Sequence, residues 1–151
     1  IPRKESMFKH LLLPTDGSQL SKAAVQKSVQ FAKSINAKVT GLYVMPVFHA
    51  VTGKTEMLDD TDEGFARECK ALADQFLSVI EDAAKATDVT CETDLVISDH
   101  PYEAIIKAAE GKGCDLIAMA SHGRKGVQGL TLGSETQKVL TNSKIPVLVF
   151  R

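Results

Sequence analysis

The stretch from residue 121 to residue 136 combines the residue types that bind phosphate. Glycines at 123, 126, 129 and 133 allow the backbone to approach a ligand closely and to turn its N–H groups toward it. Arg124 and Lys125 add positive charge, and the hydroxyls of Ser134 and Thr136 can donate to phosphate oxygens. Gly133-Ser134 opens a predicted helix, and a helix N-terminus attracts anions. The pattern favours phosphate binding over a plain surface loop in which Ser134 is only an N-cap.

A second unusual turn, Pro14-Thr15-Asp16-Gly17-Ser18, follows the short apolar run His10–Leu13. Asp16 can accept hydrogen bonds from ribose hydroxyls. It can equally cap the helix that follows, as can Ser18, and both interpretations stay open. The patterns GxxxxGK[ST] and, after the first strand, GxGxxG are absent, which excludes a P-loop protein and a classical dinucleotide-binding fold.

Strand-like and helix-like segments alternate along the chain and must position these turns. Apolar runs at 10–13, 38–45, 89–97, 114–120 and 145–150 predict strands, with an amphipathic helix between each pair and the longest at about 65–86. This order predicts an α/β protein with an open five-stranded parallel sheet and helices on both faces. Ligands bind such sheets beyond the carboxyl ends of the strands, where the strand order reverses. Strands one and four therefore bring the two turns together.

Residues 47–62 have no clear periodicity and predict a mobile loop, which could act as a lid over the site. The loop and the residues after it carry an acidic run at Glu56, Asp59, Asp60, Asp62 and Glu63. A calcium loop would place its glycine one residue later than Gly64, so the run is interpreted as capping the next helix.

Composition narrows the possible functions. The chain has 151 residues, 44% hydrophobic and 25% charged, which suits one domain with a real core. The formal net charge of −1 argues against a nucleic-acid partner, and no apolar run is long enough for a membrane span. Residues 1–6 are expected to be an added remnant before a native start at Met7, with a single domain over 7–151. Cys69, Cys91 and Cys114 show no CxxC spacing, and Cys69 and Cys114 are predicted to be buried, as suits a reducing cytoplasm.

The two turns together resemble the signature of the universal stress protein family, G-x2-G-x9-G-[S/T]. Here Ser121-His122-Gly123 is followed, after nine residues, by Gly133-Ser134. Pro14-Thr15-Asp16-Gly17-Ser18 resembles the start of the family, and Ile145-Pro146-Val147-Leu148-Val149 resembles its closing strand, so the resemblance covers about residues 8–150. It implies a Rossmann-like fold of the adenine nucleotide alpha hydrolase type with strand order 3-2-1-4-5. It also implies a cytoplasmic homodimer and binding of ATP, or of ADP or AMP, with Mg²⁺. The last strand leaves an uncovered sheet edge, so we expect the two copies to pair there, through Val147 and Val149.

The resemblance also assigns roles to residues of this chain. Pro14, Thr15 and Asp16 would contact adenine and ribose, with Val44 against the adenine. Met119, Ala120 and Gly123 would form the wall and the start of the phosphate loop, while Gly133, Ser134, Glu135 and Thr136 would receive phosphates. The remaining loop positions assigned to the ligand are Ser121, His122, Arg124 and Gly126. No metal ligand is assigned to the protein, because Mg²⁺ would be held through the phosphates.

One position departs from the family pattern, since Ala120 stands where the first glycine is expected. Alanine is harmless there if φ is negative, but costs on the order of 1 kcal/mol if φ is positive. The alternative function is therefore a dimeric stress-response interaction module that has lost nucleotide binding.

Enzymatic and electron-transfer functions are less well supported. No carboxylate is an obvious general base for a γ-phosphate, so we expect binding with at most slow hydrolysis. A phosphorylated receiver domain would need an acidic pair after strand one and a lysine after strand five, and both are missing. A flavin carrier would need a longer first loop and aromatic stacking, but the chain has no Trp and only two Tyr.

Overall fold

The computed structural model describes residues 5–46, 62–122 and 132–151. Within these ranges strands and helices alternate: β1 His10–Thr15, α1 Gln19–Ser34, β2 Lys38–Met45, α2 Asp62–Thr87, β3 Cys91–Ile97, α3 Pro101–Gly111, β4 Leu116–Ala120, α4 Ser134–Asn142 and β5 Val147–Phe150. The strands form one parallel sheet in the order β3-β2-β1-β4-β5. The predicted fold class and strand order are confirmed.

The sheet is covered on both faces, which explains its nearly continuous apolar strands. Leu11 and Leu13 of β1 point into the cluster formed with α1 and α2, whereas Leu12 points into the cluster formed with α3 and α4. All three leucines are buried, and so is the whole of β4. β1 and β4 thus lie at the centre of a two-sided core that holds their ends in place.

Several boundaries differ from the sequence prediction because helix ends use residues that had been assigned to strands. The N–H of Val89 donates to Ala84 O at the end of α2, and the N–H of Cys114 donates to Ala109 O at the end of α3, 2.8 and 2.9 Å respectively. β3 and β4 therefore begin two residues later than predicted, at Cys91 and Leu116. Helix α2 begins at Asp62, three residues earlier than predicted, so the last residue of the predicted loop at 47–62 is helical; the rest of that loop lies outside the described residues.

Polar groups at the amino ends of the central strands form hydrogen bonds with partners within the chain. The Asp115 carboxylate accepts from the N–H groups of Lys9 and His10 at 2.8 and 3.1 Å, and the Asp115 N–H donates to His10 O. The buried His10 ring shares a hydrogen bond of 2.6 Å with the Thr40 hydroxyl on β2. We call this group (His10, Thr40 and Asp115) the amino-edge cluster.

Cys69, Cys91 and Cys114 form no disulfide bond with one another. Cys114 is buried as predicted, whereas Cys69 is only half-buried. Burial raises the pKa of the Cys91 and Cys114 thiols to about 11, so both stay protonated and unreactive near neutral pH. Among the helices that the structure describes, none is long and apolar enough to cross a membrane.

Candidate functional site

The strand order reverses between β1 and β4, which pair directly through Leu11 with Leu116 and Leu12 with Ile117. The chain leaves the carboxyl end of β1 toward β2 and the carboxyl end of β4 toward β5. The two connections diverge, and ligands of open α/β sheets generally bind in the crevice outside the strand ends at such a place. The sequence-predicted turns after Thr15 and Ala120 therefore lie at neighbouring strand ends.

The turn after β1 is held by its own side chains. The Thr15 hydroxyl accepts from the Gly17 N–H at 3.2 Å and from the Ser21 hydroxyl at 2.9 Å. Asp16 Oδ1 accepts from the Ser18 N–H at 2.9 Å, and the Ser18 hydroxyl caps α1 by accepting from the Ser21 N–H at 3.1 Å. Of the two capping candidates in the sequence, Ser18 is the N-cap of α1, while Asp16 shapes the turn before it.

Residue 17 must be glycine at this place in the fold. Its φ is +80°, a left-handed conformation that side chains disfavour. A Cβ there would also meet the Phe76 ring from α2, which lies in ordinary core contact with Tyr43. The turn is therefore packed tightly against α2.

The backbone beyond β4 is tied down at both ends of the glycine-rich stretch. The Ser121 N–H donates to Phe150 O of β5 at 2.8 Å, and the Gly133 N–H donates to Ser121 O at 2.7 Å. A Cβ on Gly133 would lie 3.1 Å from Ser121 O and 3.2 Å from His122 Cα, closer than most side chains tolerate. Gly133 is thus needed for the close approach of α4 to the end of β4. Gly123, Arg124 and Gly126 lie outside the described residues.

The Ala120 backbone is ordinary strand. Among the described residues, only Asn36 and Asp88 are non-glycine positions with positive φ. Ala120 pairs with Phe150 in the sheet and is buried. Alanine in place of the family glycine therefore carries no backbone strain.

The first turn of α4 presents three backbone N–H groups, those of Ser134, Glu135 and Thr136. A helix cannot satisfy its first N–H groups internally. Gly133 is the N-cap and has no side chain to accept from them. Within the described part of the chain no other acceptor meets these three donors. The arrangement is a partial positive charge with aligned donors, suited to an anion.

His122 contributes a buried polar atom beside this helix start. Its Nδ1 lies 3.1 Å from the Ser121 hydroxyl, whereas its buried Nε2 has no hydrogen-bond partner among the described residues. Buried polar atoms in folded proteins nearly always have a partner. This atom and the first N–H groups of α4, which lack an acceptor among the described residues, are the two features that a bound polar ligand would complete.

Three predicted ligand contacts have side chains already engaged within the protein. The Thr136 hydroxyl donates its proton to Ala120 O at 2.9 Å, so it is not free to donate to a phosphate in this conformation. The Thr15 hydroxyl is used in its turn. The Glu135 carboxylate accepts from the Tyr102 N–H of α3 at 3.0 Å. For Glu135 and Thr136, the backbone N–H groups are what remains to meet a ligand.

Three of the remaining predicted contacts are residues of the sheet. Val44 is half-buried at the end of β2, Pro14 is half-buried in β1, and Met119 is buried in β4. Sequence reasoning missed the Glu135–Tyr102 bond, because nothing local signals a contact across 33 positions. The described residues contain no group of three or more His, Cys, Asp or Glu that could hold a metal ion.

These features define an α/β protein with a five-stranded parallel sheet whose strand order reverses between β1 and β4. The family model of the universal stress protein family matches residues 7–151, so the chain belongs to that family. It is similar to the universal stress protein MJ0577 of Methanocaldococcus jannaschii, with 32% identity over 157 residues that cover 96% of each chain.

Solved structures share the fold. That of MJ0577 aligns with a TM-score of 0.78 and 27% identity over 95% of this chain and 96% of that one. A universal stress protein in complex with cAMP aligns with a TM-score of 0.68 and 24% identity, over 97% of this chain and 98% of that one. A third, from Archaeoglobus fulgidus in complex with dAMP, has a TM-score of 0.62 and 16% identity over 97% and 100%. The last two share the fold with this chain, and both were solved with a nucleotide monophosphate.

Proposed function

We propose that this universal stress protein binds an adenine nucleotide, ATP with Mg²⁺, in the crevice between the ends of β1 and β4. The observation that carries the proposal is the start of α4, where three N–H groups without an acceptor among the described residues stand beside the close contact of Gly133 with the end of β4. Similar folds solved with cAMP and dAMP support a nucleotide as the anion.

The residues present fit such a ligand. The N–H groups of Ser134, Glu135 and Thr136 and the Ser134 hydroxyl would hold phosphate, and His122 Nε2, which has no partner in the described part of the chain, offers a further polar contact. Pro14, Thr15, Asp16 and Val44 would line the adenosine end, and Met119, Ala120 and Ser121 would form the wall. Gly123, Arg124 and Gly126 would belong to the phosphate loop. Mg²⁺ would be held by phosphate oxygens.

The proposed role is regulatory rather than enzymatic. Glu135, the one carboxylate in the first turn of α4, accepts from the Tyr102 N–H. Asp16 accepts from the Ser18 N–H in its turn. Neither is set up as a general base for attack on a γ-phosphate. We therefore expect binding in the cytoplasm during a stress response, with at most slow hydrolysis.

Substitution of Ser134 tests the proposal without disturbing α4. Proline is accepted at the first helical position, and the extended Gly133 before it, with ψ of 154°, is compatible with a following proline. Ser134→Pro removes one N–H and one hydroxyl, whereas Ser134→Ala removes only the hydroxyl. A lost hydrogen bond to a charged group predicts roughly 10- to 100-fold weaker ATP binding for Ser134→Pro, with a smaller loss for Ser134→Ala.

Isothermal titration calorimetry with and without Mg²⁺ measures these affinities, and thermal unfolding checks that both variants fold. Equal ATP affinity in wild type and Ser134→Pro would contradict the placement of phosphate at α4. No binding of ATP, ADP or AMP by the wild type would favour the alternative, a dimeric interaction module without nucleotide.

We also expect the protein to form a homodimer through β5. This strand lies at the edge of the sheet, and all four of its residues are only half-buried within one chain. Edge strands of this kind are commonly covered by a second copy. We expect sedimentation equilibrium to give a dimer for wild type and a monomer for Val149→Lys; a dimeric Val149→Lys protein would place the interface elsewhere.

A further inference from the structure

The Glu135 carboxylate lies between the starts of two helices. Its Oε2 accepts from the Tyr102 N–H in the first turn of α3 at 3.0 Å, and its Oε1 lies 3.3 Å from Lys138 Nζ. The Lys138 ammonium also lies over the Tyr102 ring, 5.6 Å from its centroid. The side chain of Glu135 is 38% exposed, so water screens its charge only in part.

The position of this carboxylate matters for any anion bound at α4. Glu135 supplies one of the three N–H groups of the helix start that lack an acceptor among the described residues, and its carboxylate is only two methylene groups away from its own Cα. A carboxylate in the first turn interacts favourably with the positive end of the helix dipole, but it repels a second anion at the same place. Each further phosphate charge adds to that repulsion, while the positive Lys138 reduces it.

We propose that Glu135 sets how many phosphate groups the crevice accepts, because its negative charge penalises longer phosphate chains, and that Lys138 moderates the penalty. The inference rests on the proposed function, since it requires phosphate to lie at the start of α4. It goes further by naming the residue that determines specificity among adenosine, AMP, ADP and ATP.

The test compares wild type with Glu135→Gln by calorimetry, using adenosine, AMP, ADP and ATP in the absence of Mg²⁺. Glutamine keeps an oxygen that can accept from the Tyr102 N–H, so only the charge is removed. From Coulomb repulsion over several ångströms in partly screened surroundings, we expect ATP to bind about 10-fold more tightly, AMP about 2-fold and adenosine unchanged. The gain for ATP is expected to shrink at high salt.

Two further variants control the interpretation. Glu103→Gln removes a neighbouring carboxylate of α3 that accepts from the Tyr102 hydroxyl at 3.0 Å, and it is expected to leave all four affinities within about 2-fold. Lys138→Met removes the compensating charge and is expected to weaken ATP binding about 3-fold while leaving adenosine unchanged.

The outcomes separate this inference from the proposed function. If the nucleotides bind but Glu135→Gln gains equally for adenosine and ATP, or gains nothing, the charge of Glu135 does not select phosphate number and the inference is wrong. A gain that high salt does not reduce also contradicts it. If neither wild type nor any variant binds any of the four ligands, the proposed function itself fails, and the inference fails with it.

Discussion

The strands of the sheet begin at one side, the amino edge, and end at the other, the carboxyl edge, and these two sides differ in whether their polar groups have hydrogen-bond partners. At the amino edge, the Asp115 carboxylate takes the N–H groups of Lys9 and His10, and the His10 ring is bonded to Thr40. At the carboxyl edge, the first N–H groups of α4 have no acceptor among the described residues, and His122 Nε2 is buried without a partner there. Among the described residues, the polar groups of the amino edge therefore have partners, whereas some of those at the carboxyl edge have none.

The difference separates residues that stabilise the fold from residues that serve a ligand. A satisfied buried polar group contributes to stability, and losing its partner costs free energy of unfolding. A group without a partner within the chain costs stability instead, which a bound ligand can recover. Variants at the amino edge should lower stability and leave ATP binding unchanged. Variants such as Ser134→Pro should weaken ATP binding and leave stability largely unchanged.

The largest expected effect is that of Asp115→Ala in the amino-edge cluster. Two backbone N–H groups lose a charged acceptor, so we expect the free energy of unfolding to fall by about 3 kcal/mol. Urea denaturation measures the loss, and calorimetry is expected to show ATP affinity within about 2-fold of wild type.

Asp94→Ala is the matched control for Asp115→Ala. Asp94 forms a half-exposed ion pair with Lys112 at 3.2 Å and accepts from the N–H of its neighbour Leu95 at 2.9 Å, so its removal should cost about 1 kcal/mol, well below the loss for Asp115→Ala. If Asp115→Ala instead leaves stability intact and weakens ATP binding, the division between the two edges is wrong.

A smaller effect is expected from the pH dependence of His10. Burial, and secondly the Lys38 ammonium, lower the pKa of His10 below its ordinary 6.5. Between the lowered pKa and 6.5, the unfolded chain holds more protons than the folded protein, so stability is full above 6.5 and falls as pH decreases through this window. One such group contributes a slope of at most about 1.4 kcal/mol per pH unit.

Urea denaturation at a series of pH values measures this slope for wild type and for His10→Gln. We expect the substitution to flatten the fall below pH 6.5, since glutamine does not titrate there. An unchanged slope in His10→Gln would assign the pH dependence to groups outside the amino-edge cluster.

The smallest effect is expected from Ala120→Gly, which restores the family glycine at the carboxyl edge. Because Ala120 has an ordinary strand backbone, glycine relieves no strain, and its extra freedom should cost about 1 kcal/mol of stability. ATP affinity is expected to stay within about 2-fold of wild type. A gain of about tenfold in calorimetry would show instead that the Ala120 methyl crowds the ligand.

The sequence predicts the fold well because its signals are local. The alternation of apolar runs with amphipathic helices leads to the five-stranded parallel sheet, and the resemblance to a family adds the strand order. Local turn chemistry also predicts the start of α1, where Ser18 was one of two candidate caps. The starts of β3 and β4 are less predictable. Whether Val89 and Cys114 belong to a helix end or to a strand depends on hydrogen bonds to the preceding helix.

The candidate site was predictable as a set of positions but not as a set of available groups. The glycine spacing and the start of α4 are visible in the sequence. Whether a hydroxyl is free is not visible, and the Thr136 proton goes to Ala120 O, 16 positions away. Residue type alone therefore assigns to phosphate a Thr136 hydroxyl that the fold uses elsewhere.

By itself, then, the sequence determined the order of elements, the two glycine-dependent turns and the family, since each follows from patterns within a few residues. Tertiary structure alone decided which polar groups form hydrogen bonds within the chain. It joined Asp115 to the N–H groups of Lys9 and His10 across more than a hundred positions, and Glu135 to Tyr102. The physical reason is that a hydrogen bond depends on where two chain segments meet in space, and the packing of helices on a sheet fixes that meeting.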